Sequence, residues 1–209
     1  MKVKICGLKR VEDVAYVNRY LPDYVGFVFA GEKRRINKDQ AVKLKRLLDP
    51  SIQVVGVFVN ESIAFIRELV LEGVIDLVQL HGDEEEAYVH EVKQLNVPVI
   101  RACRVKEPSD VIMAQASGAD YLLFDTYTKK EYGGSGKTFD HELLSDNQRV
   151  YFLAGGITTD NIQQITTNLR PYAIDVSSGV ETDGIKDEEK IRKLMEIAHR
   201  ITAQERRLL

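Results

Sequence analysis

Apolar residues in this chain gather in short runs at a steady pace. They are Val3–Ile5, Tyr24–Phe29, Gln53–Val59, Leu77–Leu80, Val97–Ala102, Tyr121–Phe124, Val150–Leu153 and Tyr172–Val176. Most do not alternate apolar with polar, which fits strands buried on both faces of a parallel sheet. The segments between them carry helical spacing. Ala41, Leu44 and Leu48 fall on one face, as do Ile63, Ile66 and Val70, while Lys43, Lys45 and Arg46 turn toward water. Asp110–Ala116, Asp160–Leu169 and Glu188–Ile201 read as further helices, with Ser62 and Thr159 or Asp160 as N-caps. The interval from Asp125 to Val150 has the weakest helical pattern, with Phe139–Ser145 its one candidate.

Strands alternating with helices pair in parallel through βαβ units. Eight such units in 209 residues match the lower end of a (β/α)8 barrel of the TIM type; the competing architecture is an open doubly wound sheet. No linker rich in Pro, Gly or Ser and no shift in composition divides the chain, so a single domain over 1–209 is expected.

Composition narrows the function. At 44% hydrophobic and 29% charged the chain suits a soluble globular fold, and a net charge of −3 offers nothing to nucleic acid or to an anionic membrane. Its two cysteines make no disulfide framework, which points to a reducing cytoplasm. No signal peptide or membrane-length apolar stretch is read from the sequence.

Ligands of α/β barrels sit where the strands end. Collecting those positions gives Cys6, Asn60, His81, Arg104 and Asp125, the pair Gly155-Gly156, and Ser177-Ser178-Gly179, with Arg34 and Arg35 a few residues past the second strand. The small-residue turns after the seventh and eighth strands suit a phosphate, because backbone N–H groups can approach it unobstructed; tight turning alone is the competing reading. No similar pair follows strands three and four, so a second phosphate site is not expected. Cys6 and Asp125 form a thiol and carboxyl at one mouth. Positive neighbours such as Lys4, Lys9 or Arg34 would favour the thiolate, and an apolar setting beside a phosphate would raise the carboxyl. That pairing suits acid/base work; a small buried thiol and a capping carboxylate are the bland alternatives. The four histidines lack ligand spacing, so no metal is expected. Cys103 reads as a core residue and Asp83–Glu86 as a solvated helix start. Gly136-Lys137-Thr138 imitates a P-loop, but Glu131 stands where that motif needs glycine.

These residues together resemble a known family. Lys4-Ile5-Cys6-Gly7, Gly26-Phe27-Val28-Phe29 followed by Lys33-Arg34, and Gly56-Val57-Phe58-Val59-Asn60 are similar to motifs of phosphoribosylanthranilate isomerases. So are Val78-Gln79-Leu80-His81-Gly82, Tyr132–Asp140 and Asp175-Val176-Ser177-Ser178-Gly179-Val180-Glu181, in order and at family spacing from Lys2 to about Ile197. The resemblance implies a (β/α)8 barrel that performs an Amadori rearrangement of a phosphosugar in tryptophan biosynthesis, without cofactor or metal. By that resemblance Cys6 is the general base and Asp125 the general acid. Arg34, Asp175 and His81 bind substrate, and Gly155, Gly156, Ser177, Ser178 and Gly179 hold its phosphate. The partner is then a small phosphosugar, with no nucleic acid and no membrane, and the chain is a monomer or homodimer. Lys9-Arg10 and Gly31-Glu32 depart from the family pattern without removing a chemical group, and the tail after Ile201 lies beyond the resemblance.

Two other readings compete. A related phosphate-barrel isomerase of dual specificity would call for a second phosphate grip. A non-catalytic phosphosugar-binding barrel would need the loops but neither Cys6 nor Asp125.

Overall fold

Side-chain parity along the strands decides what faces the centre of this molecule. The computed structural model describes residues 1–125, 144 and 146–207. Within them, β1 (Lys2–Cys6), β2 (Tyr24–Val28), β3 (Gln53–Phe58), β4 (Leu77–Leu80), β5 (Val99–Arg104), β6 (Tyr121–Asp125), β7 (Tyr151–Ala154) and β8 (Ala173–Val176) close into one parallel barrel, β8 pairing back onto β1. Seven helices are described: α1 (Val11–Tyr20), α2 (Lys38–Leu47), α3 (Ile63–Leu71), α4 (Glu86–Lys93), α5 (Pro108–Gln115), α6 (Ile162–Leu169) and α7 (Glu188–Arg207). A hairpin of β9 (Glu181–Thr182) and β10 (Ile185–Lys186) stands between β8 and α7. The fold is therefore the closed barrel and not the open sheet.

Successive strand residues point to opposite faces. Val3 and Ile5 of β1, with Val25 and Phe27 of β2, pack outward under the helices, together with Val14, Leu44, Ile66 and Leu69. Cys6, Tyr24, Val55, Val57, Leu77, Ile100, Leu123 and Phe152 pack inward as a separate core. Both faces are buried, which is why the runs read as continuous rather than alternating. Tyr24, Tyr121, Phe152 and Tyr172 stack and tilt against one another at the N-terminal end of the barrel, with ring centroids 5.4–5.7 Å apart. They plug that end and leave the opposite mouth for ligand.

An aspartate placed just before alternate strands fixes the register. Asp23 accepts from Val3 N–H, Asp76 from Val54 N–H and Asp120 from Val99 N–H, at 2.7–2.9 Å. Each thereby satisfies an amide within the first two residues of the neighbouring strand.

Most local expectations hold: Ser62 accepts from Phe65 N–H at the start of α3. Three need correction. The residue before α6 is Asn161, not Thr159 or Asp160, and its carboxamide accepts from Thr158 N–H (2.8 Å). Asp83–Glu86 is more than a solvated helix start. Glu84 is buried and accepts from the N–H groups of Asn60 and Gly82, while Glu86 pairs with Arg101 (2.6 Å). Helix α7 continues past Ile201 to Arg207. The loop Tyr132–Asp140 and, apart from Leu144, the helix candidate Phe139–Ser145 lie outside the described residues.

Candidate active site

The inward residues at the C-terminal ends of the strands line a cavity of about 520 Å³. Cys6, Asp125, His81, Gln79 and Asp175 enter it from strand ends, Arg34 from the loop after β2, and Gly155, Gly156, Ser177, Ser178 and Gly179 from the last two loops. Every sequence-assigned site residue thus reaches one space. Asn60 and Arg104, also gathered from strand ends, are not in its lining. Asn60 instead adopts a left-handed turn (φ 49°) and its side chain accepts from Asp83 N–H.

Cys6 is the last residue of β1, opposite Gly26 of β2. A methyl group on Gly26 would lie 2.6 Å from the Cys6 sulfur, so glycine is required there to seat the thiol. One turn of parity earlier on β1, Lys4 is fully buried and its ammonium donates to Asp175 Oδ2 at 2.7 Å. Burial pulls the Lys4 ammonium down, but Asp175 and Cys6 outweigh that and hold it above its ordinary value. Cys6 shifts the other way from expectation. Burial pushes its thiol up, and the opposing pull of Lys4 and Lys186 does not overcome this. The depressed thiol expected from the sequence is therefore corrected: burial holds the Cys6 thiol above its ordinary value although the charges of Lys4 and Lys186 pull it down. Lys9 is not one of them, since its ammonium donates to the Lys33 carbonyl.

Asp125 ends β6, and His81 Nε2 lies 3.5 Å from its Oδ2. Gln79 Nε2 is 2.9 Å from His81 Nδ1. An amide nitrogen can only donate, so Nδ1 accepts and a neutral His81 carries its proton on Nε2, toward Asp125. Two buried oxygens of cavity-lining residues, Gln79 Oε1 and Asp175 Oδ1, have no hydrogen-bond partner among the described residues.

Arg34 lies across Gly7, whose φ of +87° suits glycine and whose added Cβ would meet the Arg34 stem at 2.4 Å. Its Nε and one terminal nitrogen donate to the two oxygens of Glu181 at 2.8 and 2.6 Å. One edge of the fork is thereby committed to the protein. Lys186 also donates to Glu181, at 2.6 Å, and to the Ser177 carbonyl at 3.0 Å. These two cations hold the Glu181 carboxyl down to about 2 against the raising effect of its burial. Sequence reading missed Lys186 altogether. Asp183-Gly184 is a turn signal that would have placed it, since both residues take positive φ (51° and 76°) in the hairpin turn.

The loops after β7 and β8 are packed back to back. A Cβ on Gly179 would fall 1.9 Å from the Ile157 carbonyl oxygen, so only glycine lets them meet. Gly155 and Gly156 take φ of +92° and +63°, and above Gly156 the space is open. Ser178–Val180 follows as a single 3-10 turn, and Ser177 Oγ donates to the Cys6 carbonyl at 3.0 Å. The two loops and the strand end that carries the thiol are therefore joined by direct contact and one hydrogen bond.

A closed barrel with a thiol, a carboxylate beside a histidine and two glycine-containing loops at one mouth is an arrangement suited to acid/base work on a small anionic ligand. Comparison with known proteins makes the class specific. The family of N-(5'-phosphoribosyl)anthranilate (PRA) isomerases matches residues 3–197. An N-(5'-phosphoribosyl)anthranilate isomerase of Endomicrobium trichonymphae is 53% identical, covering 94% of this chain and 97% of its own. One of Lachnoclostridium phytofermentans is 45% identical, covering 96% and 98%. Among solved structures, the phosphoribosyl anthranilate isomerase of Thermotoga maritima superposes with a TM-score of 0.81 at 36% identity, covering 94% and 97%. A phosphoribosyl anthranilate isomerase in complex with reduced 1-(o-carboxyphenylamino)-1-deoxyribulose 5-phosphate gives 0.79 at 31%, again covering 94% and 97%. This chain belongs to the PRA isomerase family, aldose–ketose isomerases of tryptophan biosynthesis.

Proposed function

We propose that the chain converts N-(5'-phosphoribosyl)anthranilate to the 1-deoxyribulose 5-phosphate product with Cys6 as general base and Asp125 as general acid. The observation that supports this most directly is the delivery of both groups, from the ends of β1 and β6, into the cavity that holds the glycine loops. Asp125, oriented by His81, gives its proton to the furanose ring oxygen; the C–O bond breaks and the anomeric carbon becomes an iminium. Cys6 then removes the C2 proton. The electron pair of that C–H bond forms the enolamine, which tautomerises to the ketone. No atom is gained or lost, so the sugar is reduced at one carbon and oxidised at the next. Before Cys6 can act it must lose its own proton to solvent, and the charges of Lys4 and Lys186 favour the thiolate that remains.

The phosphate sits against Gly155, Gly156, Ser177, Ser178 and Gly179, whose small side chains let backbone amides approach it. Arg34 presents its uncommitted edge to the anthranilate carboxylate. Asp175 Oδ1, buried and without a hydrogen-bond partner among the described residues, is supported as the acceptor for a sugar hydroxyl.

The test is a turnover assay with freshly prepared substrate, following loss of anthranilate fluorescence. The chain has no tryptophan, so background is low. Cys6→Ala and Asp125→Asn, each shown to be folded by circular dichroism, should fall at least about a hundredfold in kcat. A folded Cys6→Ala with wild-type turnover overturns the base assignment. Binding of a phosphosugar with no turnover by wild type overturns the whole reading.

A further inference from the structure

Lys186 is nearly sealed from solvent, with 1% of its side chain exposed, yet it is not in the cavity lining and the reaction above gives it no proton to move. A desolvated ammonium is costly unless it is paired and hydrogen-bonded, so the partners of Lys186 are what keep it charged. Its three surroundings each lead to the site. Glu181, 2.6 Å away, is the residue that grips Arg34. The Ser177 carbonyl, 3.0 Å away, belongs to the loop whose hydroxyl holds the Cys6 carbonyl. Cys6 itself feels the Lys186 charge.

The hairpin that carries it is well anchored. Lys190 donates to the Glu181 carbonyl (2.6 Å), Thr182 to Asp187 (2.6 Å), and Arg10 to the Lys186 carbonyl (3.4 Å). Among the described residues the charged groups facing Cys6 are Lys4 on its own strand, Asp175 on β8, Arg34 after β2, and Lys186 on β10. Lys4 is tied to Asp175 at 2.7 Å, so that anion largely offsets the nearest cation. Lys186 and Arg34 share the one carboxylate of Glu181, so a net positive charge is left on the hairpin side to bias the thiol toward ionisation.

We propose that Lys186 is a positioning residue for the isomerisation, holding Glu181–Arg34 and the Ser177 loop in place and serving as the second cation that prepares the Cys6 thiol to ionise. This rests on Cys6 being the base, and the test separates the two ideas. A direct thiol titration does not depend on turnover. In a Cys103→Ala background Cys6 is the single thiol, and its alkylation rate by iodoacetamide across pH reports its ionisation. Loss of one nearby cation raises a thiol pKa by roughly one unit, which is about tenfold in thiolate at any pH below the midpoint.

Lys186→Met should therefore move the alkylation midpoint upward, with the rising limb of kcat/KM moving by the same amount. Lys186→Arg, which keeps the cation, should restore much of both. Glu181→Gln removes an anion from the same hairpin. It should raise KM by loosening Arg34 while moving the thiol midpoint downward or not at all. A hairpin that merely holds structure would make both substitutions act in one direction, so an upward shift in both overturns the proposal. An unmoved midpoint in folded Lys186→Met overturns it as well. If the alkylation midpoint rises and the kcat/KM limb stays, the base assignment fails and takes the proposal with it. If Lys186→Met does not fold, Lys186→Arg and Glu181→Gln still decide: the first must keep the midpoint and the second must not raise it.

Discussion

Lys4→Met should be the most damaging conservative change in the barrel. Methionine nearly matches the volume of lysine, so packing loss is small, and the effect reports the charge. Lys4 has no solvent exposure and Asp175 only 7% of its side chain exposed, at 2.7 Å. Removing one partner of such a pair leaves the other buried and uncompensated, at a cost of about 3–5 kcal/mol. For a chain of this size each kcal/mol moves Tm by roughly 2–4 °C, so a drop of roughly 6–20 °C is expected. The pair also titrates with a definite sign. Lys4 is held above its ordinary 10.5, so its contribution is complete at any pH below 10.5 and is lost as pH rises through the folded value. The gap between wild type and Lys4→Met should therefore be constant from pH 6 to 9. Urea unfolding followed by circular dichroism measures it, with Lys4→Met/Asp175→Asn as the control. Removing the stranded anion should recover about half of the loss or more. A single variant within about 1 kcal/mol of wild type, or a double variant no better than the single, would refute the argument from burial.

Because burial raises the Cys6 thiol above its ordinary 9.0, kcat/KM for wild type should still climb at pH 9; a plateau reached by pH 7 would sink the raised-thiol account. Gly26→Ala would force a methyl to 2.6 Å from the Cys6 sulfur, about 1 Å inside normal contact, so about 1–3 kcal/mol of stability and roughly a hundredfold in kcat should be lost. Unchanged kinetics in that variant would mean the thiol is not held as described. Glu181 is held at about 2 against an ordinary 4.5, so its stabilisation is present above 4.5 and lost as pH falls from there through about 2. Glu181→Gln should flatten that acid slope in urea titrations between pH 5 and 3; an unchanged slope places the acid sensitivity elsewhere.

Much of this molecule is legible along the chain because its causes are local. Each strand is a continuous apolar run since both its faces are buried, and each predicted run appears within about two residues of its observed bounds. The glycines of the β7 loop stand where the sequence puts them, whereas the aspartates before β2, β4 and β6 are not picked out, since each accepts from a strand 20 to 22 residues away. The short helices α1 and α4 carry only Val14 and Val17, or Val89 and Val92, as their buried valines, too sparse a stripe to be picked out ahead of contact with the barrel.

The sequence by itself determined the order of strands and helices, the residues standing at the mouth and the family they resemble, because periodicity and motif spacing are properties of neighbours. Only the tertiary structure decided how those residues act on one another. Lys4 and Asp175 are 171 positions apart, and Arg34 and Glu181 are 147 apart; nothing in the spacing of either pair announces it, since barrel closure alone brings them together. The direction in which the Cys6 thiol shifts was decided there too. Counting basic neighbours along the chain favours a thiolate, but the desolvation that reverses the sign exists only once eight strands have closed around the sulfur.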